Sequence, residues 1–231
     1  MSATLELAGQ HPNVFDRARN PAASEPDALA PLAAQSALIR AGRDKQIFGQ
    51  GDPAKYCYLV LSGCVRSVSL IEDGRRQVSE FLLPGDLFGW EAADEYDFSA
   101  EAVTPVFLRR YRRSSLEALA DSDRNLARTL RNLSARQLRV ARERMVLLGR
   151  KTASERIASF LLEMARRLHA TSQIRLPMNR GDIADHLGLT VETVCRGLTQ
   201  LRREGTISVE RGNVAICDPD ALGAAERATL H

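Results

Sequence analysis

Residues 189–203, LTVETVCRGLTQLRR, are the stretch on which the reading of the chain turns. Gly188 precedes it and Gly205 follows it, so residues that break helices bound it on both sides. Thr190 is of the type that caps a helix start, where its hydroxyl accepts a bond from an otherwise unpartnered backbone N–H. Val194 and Leu198 lie four residues apart and share one face, whereas Glu192 and Arg196 share another. The pattern predicts a helix over 191–203. Upstream, Asn179 is a second N-cap, with Asp182 placing negative charge in the first turn of a helix that runs to Leu187. Ile183 and Leu187 supply the inner face of that helix, and Ala184 is small enough for a close crossing. Downstream, residues 207–209 and 214–216 alternate like strands around Arg211-Gly212-Asn213, a turn signal. Helix, turn, helix and hairpin, in that order, read as a winged helix-turn-helix. Gly197 departs from the pattern, because an interior helical glycine costs about 1 kcal/mol relative to alanine; close packing is the reason that offers itself.

In such a motif the second helix enters the major groove with its N-terminal part. A carboxylate in the first turn is repelled by phosphates, yet it accepts a hydrogen bond from the exocyclic amine of cytosine, while arginine donates two bonds to guanine O6 and N7. Glu192 and Arg196, one turn apart, can align each other and read neighbouring base pairs; the plainer alternative is a surface ion pair. Arg180, Thr190, Thr193 and Arg211 are candidate phosphate contacts, and each is equally a candidate for an ordinary solvated residue. Cys195 lies between the two candidate base readers. It serves either as a serine-like contact or as a redox switch, because oxidation at a DNA contact adds bulk and polarity.

The charge distribution agrees with a nucleic-acid partner. Residues 150–217 hold 11 Lys and Arg against 7 Asp and Glu, while the whole chain of 231 residues carries only +3. The start of the chain lacks the charged-then-apolar pattern of a secretory signal, and no run approaches the length of a membrane span. A cytoplasmic protein with no membrane partner is expected. The four cysteines (Cys57, Cys64, Cys195 and Cys217) form no close pair; they are expected to be reduced and bind no metal, with Cys57, Cys64 and Cys217 structural. No nucleophile–base pairing or phosphate-cradling loop marks an enzyme.

Working outward, residues 1–40 are rich in Ala, Pro and polar side chains and read as a mobile tail leading to a short helix over 29–38. Residues 41–112 hold short apolar segments punctuated by glycine. Strands are expected over 56–61, 65–71, 77–83 and 103–111, with Asp73-Gly74 as a hairpin turn and Pro53, Pro84 and Pro105 at turns or edges. Together they suggest a small barrel or jelly roll. Residues 114–148 read as one long amphipathic helix within a segment 113–149. Leu126, Leu130 and Leu133 form a stripe on it that Leu138, Ala141, Met145 and Leu148 continue. That stripe fits either a two-helix seam with another copy or packing against the chain's own barrel. Another helix is expected over 153–168. Residues 150–217 make the helix-turn-helix domain, and 218–231 a C-terminal tail.

Read as a whole, the chain resembles the CRP/FNR transcription regulators over about residues 40–217. DIADHLGLTVETVCRGLTQLRREG is similar to their DNA-binding domain, and GDPAKYCYLVLSGCVRSVSLIEDGRRQVSEFLLPGDLFG to their β-roll sensor domain. The VETVCR run, LLGRKTASERIASFLLEMA and LLPGDLFGWEA resemble the FixK subgroup. The resemblance implies an α+β chain: an N-terminal β-roll like those that bind cyclic nucleotides, a long dimerisation helix and a C-terminal winged helix-turn-helix. It implies a homodimer on double-stranded DNA, activation through RNA polymerase, and base reading by Glu192, Cys195 and Arg196 at TTGAT-N4-ATCAA. Two family ligands are not expected. The stretch that would hold a cyclic phosphate reads FGWEAADEYDFSAEAV, with no arginine from 88 to 108 and with Glu91, Asp94, Glu95, Asp97 and Glu101 acidic. No cysteine precedes Cys57, so an N-terminal iron–sulfur cluster lacks ligands. His11 could ligate haem, but no spacing supports it. The expectation is a regulator with no cofactor; an effector-dependent sensor of the same fold, or a repressor, is the alternative.

Overall fold

The computed structural model of the protein describes residues 27–70, 74, 76–91, 93–168, 173–210 and 213–227. The reading of residues 1–26 as a tail, with His11 in it, lies outside them, as do Asp73, Arg211 and Gly212.

The described residues open with a 3-10 helix, Asp27–Gln35, followed by strands β1 (Ala37–Ala41), β2 (Gln46–Phe48), β3 (Tyr56–Ser62), β4 (Val65–Leu70), β5 (Arg76–Leu82), β6 (Leu87–Phe88), β7 (Ser99–Ala102) and β8 (Val106–Arg112). They form two antiparallel four-stranded sheets, ordered β1-β8-β3-β6 and β2-β7-β4-β5. The space between the sheets is filled by rings and branched side chains: Phe48, Tyr58, Phe88 and Tyr96 are buried with Val60, Val65 and Leu108. The strands read from sequence are β3, β4, β5 and β8. The helix over 29–38 stops at Gln35, and Leu38 lies in β1, whose alternating burial reflects an edge strand paired to β8. Strands β2, β6 and β7 escape a sequence reading because they are short, and β7 is SAEA, a poor strand former held by neighbours on both sides. β8 starts after Pro105 rather than at Val103, since proline brings no N–H to the ladder.

The long helix expected over 114–148 is two helices, α1 (Arg113–Ser122) and α2 (Arg124–Arg150). Asp123 breaks it: its backbone is extended, and its carboxylate accepts from the N–H groups of Asn125 at 2.8 Å and Leu126 at 3.3 Å, capping α2. The break folds Leu116 and Leu126 into one cluster with Leu29, Leu59, Tyr111 and Leu130. This corrects part of the candidate dimer stripe. Leu126 and Leu130 are buried inside their own subunit, and Leu133 packs against the same cluster, so these leucines are not free for a partner. Farther along α2, Leu138 is 53% exposed, Met145 75% and the unforeseen Val146 58%. Ala141 is also exposed, while Leu148 is half-buried beside Gly188.

Then follow α3 (Ala153–Arg167), β9 (Gln173–Arg175), α4 (Arg180–Leu187), α5 (Val191–Arg203), β10 (Ile207–Glu210), β11 (Asn213–Ile216) and α6 (Pro219–Arg227). β9 adds a third strand to the expected hairpin. α6 occupies what reads as a tail. Asp218 accepts from Ala221 N at 2.8 Å, Pro219 stands at the helix start, and Leu222 is buried. The Asp-Pro pair was the sequence signal for it. Cys57 and Cys64 are buried as expected of structural thiols, but Cys217 is exposed, because β11 ends just before it. One core runs across both halves of the molecule: Val78 and Phe81 of the β-roll pack with Phe160, Ile183 and Leu187.

Candidate nucleic-acid interface

Local chemistry sets the geometry of α4 and α5. Asn179 Oδ1 accepts from Asp182 N at 2.8 Å, opening α4. Gly188 closes it with φ of 61°, the left-handed conformation that glycine adopts without strain. Arg156 binds the ends of two helices at once, donating to the carbonyls of Leu187 at 3.0 Å and Leu148 at 2.9 Å. Thr190 Oγ1 accepts from Thr193 N at 3.2 Å and starts α5. Val194, Leu198 and Leu201 are buried.

Gly197 now has a cause. A β-carbon on it would overlap Ile157 Cδ1, the tip of a fully buried side chain on α3. The glycine lets the two helices approach. Gly197→Ala is therefore expected to destabilise by about 1–2 kcal/mol despite alanine's better helix propensity. Ile157→Val removes the clashing methyl and should recover part of that loss when combined with it, so a double-mutant cycle by urea denaturation checks the contact. Additive costs would show that the two positions do not press on each other.

The opposite face of α5 presents Glu192, Cys195 and Arg196 together, all exposed. Cys195 and Arg196 line a shallow surface groove of about 490 Å³ with Thr199, Gln200 and Arg203. The latter three belong to the same face by helical spacing and were not singled out from the sequence. Glu192 turns back on its own helix start: its backbone N–H and the Thr190 hydroxyl hold its carboxyl below the usual range, with a smaller electrostatic contribution from Arg196. The mutual alignment expected of Glu192 and Arg196 is thus electrostatic only. No ion pair joins them among the described residues, and Arg196 reaches Thr193 Oγ1 at 3.5 Å. Of the candidate phosphate contacts, Thr190 and Thr193 stand at the start of α5, with their hydroxyls 3.1 Å apart. Arg180 is the first residue of α4 and half-buried. Arg211 lies outside the described residues.

Asp182 carries negative charge in the first turn of α4, as its place in the sequence predicts. It is also fully buried, and Arg66 and Arg76 of the β-roll donate to it. His186, one turn on, is also buried and lies between Phe81 and Phe160.

In the β-roll, Phe48 stacks on Tyr96 at 3.7 Å, and Tyr58 on Phe88 at 5.4 Å. Burial, followed by Asp97, pushes the Glu91 carboxyl up. Burial also pushes the Cys57 thiol up to about 12 and the Cys64 thiol higher still, which suits inert core thiols. Among the described residues no cluster of three His, Cys, Asp or Glu can hold a metal, and no helix is long and apolar enough to cross a membrane.

A sensor-type β-roll joined by a long helix to a winged helix-turn-helix, with polar and basic residues on the outer face of its second helix, defines a DNA-binding transcription regulator. The cyclic nucleotide-binding domain family matches residues 38–123, and the Crp-like helix-turn-helix domain family matches residues 155–225. The nitrogen fixation regulation protein FixK of Azorhizobium caulinodans is 50% identical over 186 residues, 78% of this chain and 75% of that protein. The transcriptional activatory protein AadR of Rhodopseudomonas palustris is 36% identical over 81% of both chains. The structure of FixK2 from Bradyrhizobium japonicum superposes with a TM-score of 0.80 at 43% identity, over 83% of this chain and 97% of that one. The chain belongs to the CRP/FNR family of transcription regulators, among its FixK-like members.

Proposed function

We propose that the protein activates transcription as a cytoplasmic homodimer on a TTGAT-N4-ATCAA-like palindrome, with no cyclic nucleotide, iron–sulfur cluster or catalytic step. The observation that carries this reading is the outer face of α5, where Glu192, Cys195 and Arg196 stand exposed together while the apolar residues of the helix face inward. Thr190, Thr193, Arg180 and Arg211 contact the flanking phosphates. Leu138, Ala141 and Met145, with Val146, form the seam between the α2 helices; exposed apolar side chains on one helix suit a second copy. Activation through RNA polymerase follows from relatives named as activators. Effector independence is supported by the aromatic filling of the β-roll and by the acidic, arginine-free stretch that would face a cyclic phosphate.

Reduced protein, titrated at fixed salt against the palindrome and a scrambled duplex with no effector added, tests this. Selective binding is expected. Arg196→Ala should lose roughly 1–3 kcal/mol of discrimination at one base pair, whereas Arg180→Ala should weaken all sequences alike. Peroxide should weaken binding of the unsubstituted protein but not of Cys195→Ser, since an oxidised thiol obstructs the groove. Equal affinity for the palindrome and the scrambled duplex would overturn the base-reading assignment, and selectivity only after adding a cyclic nucleotide would overturn effector independence.

A further inference from the structure

The first helix of the helix-turn-helix is anchored to the β-roll by charge. Arg66 Nη1 and Arg76 Nη2 each donate to Asp182 Oδ1 at 2.9 Å. Arg76 also donates to Asp185 Oδ2, at 2.9 Å through Nε and 2.7 Å through Nη2. Arg66 is itself held from behind by Glu101 at 2.8 Å and Asp44 at 3.3 Å. Next to Arg76 on β5, Gln77 Nε2 donates to the Asp185 carbonyl at 2.5 Å. From α2, Arg144 donates to the carbonyls of Val78 and Ser79, each at 2.7 Å, and to that of His186. Three parts of the molecule (the β4–β5 hairpin, α2 and α4) therefore meet in one polar junction beside the shared apolar core.

The junction is not optimised for stability. Asp182 Oδ2 is buried with no hydrogen-bond partner among the described residues, and buried ion pairs recover little beyond their desolvation cost. What such a network supplies is a single geometry. Apolar side chains such as Phe81 and Phe160 tolerate sliding, but guanidinium forks fix both direction and distance.

We infer that Arg66 and Arg76, through Asp182 and Asp185, position each helix-turn-helix relative to α2 and so set the operator spacing that the dimer accepts. The inference rests on the dimeric DNA-binding reading above. If α2 joins the two subunits, whatever fixes α4 to the β-roll and α2 also fixes the separation of the two α5 helices. Half-sites are matched to that separation through the helical repeat of DNA. These are positioning residues on or against a domain that does not read bases, and loosening them leaves the α5 outer face unchanged.

Anisotropy titrations of the full-length protein on duplexes with identical half-sites and spacers of three, four or five base pairs test the inference. The unsubstituted protein is expected to prefer one spacer on the order of tenfold or more, as a misplaced half-site forfeits contacts like a mismatch. Arg76→Gln and Asp185→Asn should flatten that preference while the discrimination against a single base change within a half-site stays as in the unsubstituted protein. Arg76→Lys should restore part of it. A loss of folding alone would lower affinity for every duplex by one factor and could not flatten the preference. Arg76 and Asp185 are 31% and 32% exposed, so Arg76→Gln and Asp185→Asn are the arms least open to misfolding, and Asp182→Asn is the stronger second arm. Full spacer preference in Arg76→Gln and Asp182→Asn overturns the inference and leaves the function intact. An unsubstituted protein that selects half-sites but ignores spacing overturns the dimeric reading and the inference with it. One that selects neither overturns the base-reading assignment as well.

Discussion

Leu126→Ala is expected to lower the unfolding free energy by about 2–5 kcal/mol, the range for truncating a buried leucine whose site only partly collapses. The loss should be the same at every protein concentration. Leu126 is fully buried among Leu29, Leu59, Tyr111 and Leu116, all of its own chain. Met145→Asp and Leu138→Asp should do the reverse, leaving the stability of a dilute subunit nearly unchanged while weakening self-association, because both side chains are exposed on α2. Urea denaturation at two widely separated concentrations, with sedimentation of the same samples, distinguishes the two classes. A Leu126→Ala deficit that grows with protein concentration would mean that the substitution also damages the contact between subunits.

Acid should destabilise the protein through His186, beginning as pH falls through about 6.5. Burial, then the positive charges of Arg144 and Arg167, hold its imidazole at about 3, against about 6.5 in an unfolded chain. The folded state keeps it neutral while the unfolded chain takes up a proton below pH 6.5. Its stabilising contribution is therefore complete above pH 6.5 and falls by up to about 1.4 kcal/mol per pH unit as pH drops toward 3. Roughly 2–3 kcal/mol should go between pH 6.5 and 4.5. Glu80, raised chiefly by burial, acts in the opposite sense, because the folded state binds its proton more readily as pH falls. Denaturation series on the unsubstituted protein and His186→Gln check the assignment: the variant should start less stable and show a flatter slope. Identical slopes would move the acid sensitivity to another group.

Much of the helix-turn-helix was legible because its signals are local. Asn179 and Thr190 cap, Gly188 turns, and Val194 and Leu198 face inward; each acts on neighbours within four residues. The face bearing Glu192, Cys195 and Arg196 follows from the same periodicity. The strands with branched and aromatic residues were legible too, whereas β7 was not, because its neighbours rather than its own SAEA hold it in place.

Other assignments depend on what meets each residue in space. A leucine at helical spacing looks the same whether it faces its own barrel or a second copy, and the break at Asp123 sent Leu126 and Leu130 to the barrel. Close packing accounts for Gly197, but its partner, Ile157, lies forty positions earlier in the chain and only the fold brings the two together. Asp182 had the right place in the sequence for a helix-dipole charge, but Arg66, 116 residues away, makes it an internal anchor. The sequence by itself determined the two helices of the helix-turn-helix and which side chains point out from α5, since those depend on caps, turns and period. Only the tertiary structure decided which apolar stripe remains free and which charges are buried, since both depend on which distant surfaces come together when the β-roll docks on α2 and α4.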